Sequence, residues 1–89
     1  MPMLFDLGRL VITKGAETVV TPHEAAAMIR RHLTGDWGDL CAEDRETNRR
    51  AIGTAGFVMS AYRASCGLTV WIITEQGVGV TTILMPDEY

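Results

Sequence analysis

The 89-residue sequence is short of nearly everything that marks a specialised class of protein. Its two cysteines, Cys41 and Cys66, are too few for a disulfide framework. The opening Met1-Pro2-Met3-Leu4-Phe5-Asp6 has neither a basic leader region nor a small-residue cleavage site, so the thiols are expected to be free and the protein cytoplasmic. No apolar run approaches the roughly 20 residues that span a bilayer, so no membrane role is expected. A net charge of −3 lacks the basic excess of a nucleic-acid binder. There is no Gly-rich phosphate loop, because Gly77 and Gly79 fall in a hairpin and no helix follows them. Repeats, low-complexity tracts and linker-like segments are also missing, which implies one domain over residues 1–89. A domain this small buries little core, so a partner subunit would add materially to its stability.

What is present is a clear order of elements. Residues 4–13 are rich in Leu, Val and Ile with Gly8 inside, and are expected to form an edge strand. Lys14 to Val20 is read as a short helical turn. Thr21-Pro22-His23-Glu24 is a capping box with proline in the first turn, opening a helix over 22–33 whose apolar stripe is Ala25, Met28, Ile29 and Leu33. Arg30, Arg31 and His32 oppose the negative end of its dipole, and Gly35 stops it. A second main helix is expected over 40–52 with Asp39 as its cap. Three apolar runs, 57–63, 68–75 and 80–85, are separated by Ala64-Ser65-Cys66-Gly67 and Gln76-Gly77-Val78-Gly79. This is the pattern of an antiparallel meander. The expected fold is α+β, a three- to four-stranded antiparallel sheet with two main helices on one face.

The second helix carries an unusual inward stripe, Cys41, Asp44, Asn48 and Ile52. A buried carboxylate or amide must find partners. Asp36, Trp37, Asp44 and Asn48 therefore form either a polar site or a structural tie that fixes the 34–38 turn to the helix. A metal set from His32, Asp36, Asp39 and Asp44 has no recognisable ligand spacing, so neither a metal nor a cofactor is expected. Cys41 or Cys66 would need a nearby base to act as a nucleophile, and the inward Cys41 is more simply a small hydrophobe.

In the meander both sheet faces read as apolar, while two helices cover one. Val58, Tyr62, Trp71 and Ile73 are accordingly assigned to an interface with a second copy or another protein, the alternative being that the N-terminal segment folds over that face. The competing enzymatic reading is a small ribonuclease or toxin using His32, Arg49, Tyr62 and Arg63. It is disfavoured because Arg63 is the sole cation after Gly56, whereas such sheets are strongly basic. Arg45, Arg49 and Arg50 alternate with Glu43 and Glu46, as on an ordinary solvated helix face.

Residues His32-Leu33-Thr34-Gly35-Asp36-Trp37-Gly38-Asp39-Leu40, then Asp44 and Asn48, Ser60-Ala61-Tyr62-Arg63, Trp71-Ile72-Ile73-Thr74-Glu75 and the ending Thr81-Thr82-Ile83-Leu84-Met85-Pro86-Asp87-Glu88-Tyr89 carry a resemblance. They resemble a family of small plasmid- and phage-borne bacterial proteins with no established activity. The chain departs from that pattern at Gln76-Gly77-Val78-Gly79, which lacks an acidic–basic pair, and at Phe57, where a basic residue is common. The resemblance implies a mobile-element setting. The expected function is a non-catalytic accessory protein acting through protein–protein contact, with a host-defence component as one candidate target. It is expected to be a homodimer or to bind another protein.

Overall fold

In a computed structural model, which describes residues 2–89, the chain forms one four-stranded sheet with helices against it. Strand β1 (Arg9–Ile12) leads into helices α1 (Lys14–Val19), α2 (Pro22–Leu33) and α3 (Ala42–Ala51). Strands β2 (Phe57–Arg63), β3 (Thr69–Glu75) and β4 (Val80–Leu84) follow, and a 3₁₀ turn at Pro86–Glu88 ends the chain. The sheet order is β1-β4-β3-β2. The meander β2-β3-β4 is antiparallel, with Ala61 opposite Trp71 and Ile72 opposite Ile83. β1 departs from the expected all-antiparallel sheet, because it runs parallel to β4 and pairs Leu10 with Thr81. It is also shorter than residues 4–13. Gly8 takes φ +65°, which breaks the extended run, and the residues before it turn down so that Phe5 is buried.

Helix starts follow from local chemistry. Thr13 caps α1 by accepting from Ala16 N–H, and Thr21 and Glu24 complete their reciprocal capping box. α3 differs from expectation. Its N-cap is Cys41, which makes no side-chain cap bond. Asp39 is instead drawn to the sheet, its N–H donating to Ala61 C=O at 2.8 Å.

The alternation of each strand sorts side chains between two faces. Val58, Ser60, Tyr62, Val70, Ile72, Thr74, Thr81 and Ile83 point to the face under α1 and α2, and all are buried. Ala16, Val20 and Met28 close that core, and Leu33, Trp37 and Phe5 extend it around Val58. Ala61, Ile73 and Leu84 are buried on the opposite face, where Trp71 meets Tyr89 edge-on at 5.8 Å.

The outer edge of β2 is covered by the chain itself. Asn48 of α3 acts as a substitute strand residue: its Nδ2 donates to Met59 C=O at 2.7 Å and its Oδ1 accepts from Met59 N–H at 3.0 Å. Two residues on, Ala61 N–H donates to Trp37 C=O at 3.1 Å. Replacing Asn48 with Ala leaves both Met59 groups unpaired beneath the helix, and is expected to cost about 2–3 kcal/mol in a urea titration. An Asn48→Asp variant, which keeps only the acceptor, should be destabilised as well.

Candidate functional site

Two arrangements hold the polar side chains singled out in the sequence. The first is a buried line of hydrogen bonds crossing the helix-covered face. His32 Nδ1 lies 2.5 Å from Ser60 Oγ, and Nε2 lies 2.9 Å from Thr74 Oγ1. Thr74 Oγ1 is 2.7 Å from Thr81 Oγ1, which donates to Leu7 C=O at 2.6 Å. That last carbonyl can only accept, and this fixes the direction of the whole line. Thr81 gives its proton to Leu7, so Thr74 must donate to Thr81 and His32 Nε2–H to Thr74. Nδ1 is then left bare to accept from Ser60. His32 is thereby the neutral Nε2–H tautomer, with each hydroxyl donating once.

His32 is completely buried, and burial lowers its pKa to about 4. Phe5 meets its ring edge-on at 5.2 Å. His32 sits beneath α2 against the sheet, bonded to side-chain hydroxyls.

The second arrangement fixes the turn between α2 and α3. Arg31 holds Asp36 through Nε at 2.7 Å and Nη2 at 3.2 Å, which keeps that carboxyl below its usual range. The Arg31 guanidinium lies 4.5 Å over the Tyr62 ring, and Tyr62 O–H donates to Asp36 C=O at 2.6 Å. Burial pushes the Tyr62 phenol up to about 12, so it stays a donor. Trp37 Nε1–H donates to His32 C=O at 3.2 Å, and Arg45 donates to Gly38 C=O and Leu40 C=O.

The four candidates for a polar site are thus separated. Asp36 and Trp37 fix the turn, Asn48 covers β2, and Asp44 is exposed. The tie expected between α3 and the 34–38 turn is made by Arg45, not by Asp44 and Asn48. That role was hidden because an arginine on an alternating helix face reads as solvated.

The ribonuclease quartet is scattered. His32 and Tyr62 are buried under α2, Arg49 pairs with Glu46 at 3.1 Å on the outside of α3, and Arg63 points to the opposite face of the sheet. The interface quartet is divided too. Trp71 and Ile73 share the face away from α2, whereas Val58 and Tyr62 point into the core, because their register partners are Thr74 and Val70. Sequence alternation within each strand was legible, but the pairing that aligns one strand with the next was not.

The face away from α2 holds the remaining candidate site, an open hollow of about 780 Å³ between α3 and the sheet. Met59, Ala61 and Trp71 form its floor, with Asp39 and Asp44 on the helix side and Arg63 on the strand side. Cys41 opens onto it and, like Cys66, is an exposed free thiol. Among the described residues no group of His, Cys, Asp and Glu is placed to hold a metal ion, and no helix is long and apolar enough to cross a membrane. In comparisons with known proteins, no family model, no curated protein and no solved structure matches the chain.

Proposed function

We propose that this chain is a small non-catalytic accessory protein that acts by binding another protein. The observation supporting this reading is the hollow beside Trp71. It combines a half-buried aromatic floor with acidic groups on one rim and a cation on the other, as protein interfaces combine an apolar centre with charged edges. Of the residues in the ribonuclease reading only Arg63 lines it, since His32 and Tyr62 are buried on the other face and Arg49 pairs with Glu46 outside α3. The resemblance noted in the sequence supplies the setting, a bacterial mobile genetic element, with a host-defence component as the target.

The test is affinity capture from a bacterial lysate with the wild-type chain and three variants, each first checked for folding by circular dichroism. Trp71→Ala and Arg63→Glu are expected to reduce retention of one specific protein at least tenfold, equivalent to about 1.4 kcal/mol or more. Lys14→Glu, outside the hollow, should leave it unchanged. Ribonuclease turnover that is lost in Arg63→Ala would refute the reading in favour of the enzymatic one.

A further inference from the structure

The two edges of the sheet are treated differently. β2 is covered by Asn48 and by the Trp37–Asp39 segment, but among the described residues nothing comparable lies along β1. Arg9 N–H donates to Gly79 C=O, just before β4, and Thr13 N–H to Ile83 C=O within it. Strand alternation therefore turns the N–H and C=O groups of Leu10 and Ile12 outward, to the free edge. The residues there are apolar, with Leu10 45%, Val11 39% and Ile12 38% exposed. The strand is only four residues long and starts at the charged Arg9, but it has no proline, bulge or inward-pointing charge to keep another strand away. Beside the edge, between β1 and α2, runs an apolar groove of about 550 Å³ lined by Leu10, Ile12, Val20, Ala25 and Ile29.

We propose that this edge pairs with β1 of a second copy, joining two sheets into one of eight strands about a two-fold axis at Val11. In that register Leu10 of each copy faces Ile12 of the other, so the outward backbone groups of both residues are satisfied twice over. The same side chains lie on the groove side of the sheet and extend its apolar surface across the axis. Arg9 then stands opposite Thr13 of the second copy. Thr13 Oγ1 donates to Glu88 Oε1 at 2.6 Å, so this places an acidic group where Arg9 arrives. Arg9 makes no ion pair within the chain among the described residues, and the two-fold supplies the pair twice. A sheet edge that is apolar, hydrogen-bond competent and charge-complementary to itself in one register favours a second copy over an unrelated strand. The pairing leaves the hollow beside Trp71 free and puts both copies' hollows on the same face of the joined sheet. It does not depend on what that hollow binds.

Sedimentation equilibrium of the full chain tests the association, and a cysteine scan tests the register. The dimer is expected with a dissociation constant on the order of 10 µM, and Leu10→Lys should weaken it at least about tenfold. In a Cys41→Ser, Cys66→Ser background, Val11→Cys is expected to form a disulfide-linked dimer readily under mild oxidation. Cβ atoms of a directly opposed, non-hydrogen-bonded pair approach about 4.5–5.5 Å. Arg9→Cys, whose partner position is Thr13, should cross-link at least tenfold more slowly. A chain that sediments as a monomer at several hundred micromolar would overturn the proposal, including the case in which it binds an extended peptide of another protein. So would a dimer indifferent to Leu10→Lys, or Arg9→Cys linking as fast as Val11→Cys.

Discussion

Replacing His32 with Leu is expected to destabilise the fold by about 4 kcal/mol, although leucine fills much of the same space. The substitution removes the acceptor of Ser60 and the donor to Thr74, leaving buried hydroxyls unpaired at about 1–3 kcal/mol each. The imperfect fit against Phe5 adds to that cost. Total stability for a domain of this size is on the order of 5–10 kcal/mol, so the variant should be only marginally folded at 25 °C.

The same residue makes the wild type acid-sensitive, in a window set by its own titration. His32 is neutral in the fold, with a pKa of about 4 against 6.5 when unfolded, so the unfolded chain binds its proton first. Stability is therefore full above pH 6.5 and falls as the pH drops towards about 4, by roughly 3 kcal/mol in all. The carboxylates held below their usual range, Asp36 through Arg31, Glu24 through Ser65 and Glu88 through Thr13, lose their contributions as the pH falls below their ordinary values of 3.8 for Asp and 4.5 for Glu. Urea midpoints measured from pH 7.5 to pH 4.5 should show this decline in the wild type, and a much flatter profile in His32→Leu.

Gly38→Ala is the second substitution with a large expected effect, about 3–4 kcal/mol. Gly38 has φ +75°, and a Cβ built on it would lie 2.0 Å from Ala61 O and 2.7 Å from the Tyr62 ring. The carbonyl cannot retreat, because it accepts from Asp39 N–H and belongs to the covered edge of β2. Displacing the segment would also disturb the bonds that Tyr62 O–H donates to Asp36 C=O and Trp37 Nε1–H donates to His32 C=O. Gly53→Ala provides the control. Its φ is +83°, yet nothing lies within 4 Å of the added methyl, so only the conformational cost of about 1 kcal/mol is expected. Urea unfolding of the two variants side by side separates crowding from backbone strain.

Much of the fold was legible because local signals agreed with one another. The capping box at Thr21 and Glu24 fixed the start of α2, and the turn residues around Gly67 and Gly79 fixed the meander. What the sequence did not reveal depends on pairing between distant segments. β1 could be recognised as an edge strand, but its parallel alignment with β4, some 70 residues on, leaves no local trace. The same holds for the candidate site residues. Asn48 was correctly identified as a polar residue on an inward stripe, but its partner is the backbone of Met59, which has no side-chain signature. His32, Ser60, Thr74 and Thr81 form their line only after three strands are in register, and no spacing along the chain announces it. Val58 and Tyr62 were grouped with Trp71 and Ile73 because each lies on an apolar alternation. The pairing of Ala61 with Trp71 puts the two sets on opposite faces.

The most direct test concerns His32, because its place in the structure separates a binding protein from an acid–base catalyst. Nitrogen-15 NMR of the histidine rings, with a His23→Gln variant to assign the signals, reports both tautomer and protonation. His32 is expected to hold its proton on Nε2, to accept at Nδ1 and to stay neutral from pH 8 down to near its pKa of about 4. A ring that titrates near 6.5, or carries its proton on Nδ1, would contradict the buried line of hydrogen bonds and return His32 to the catalytic candidates.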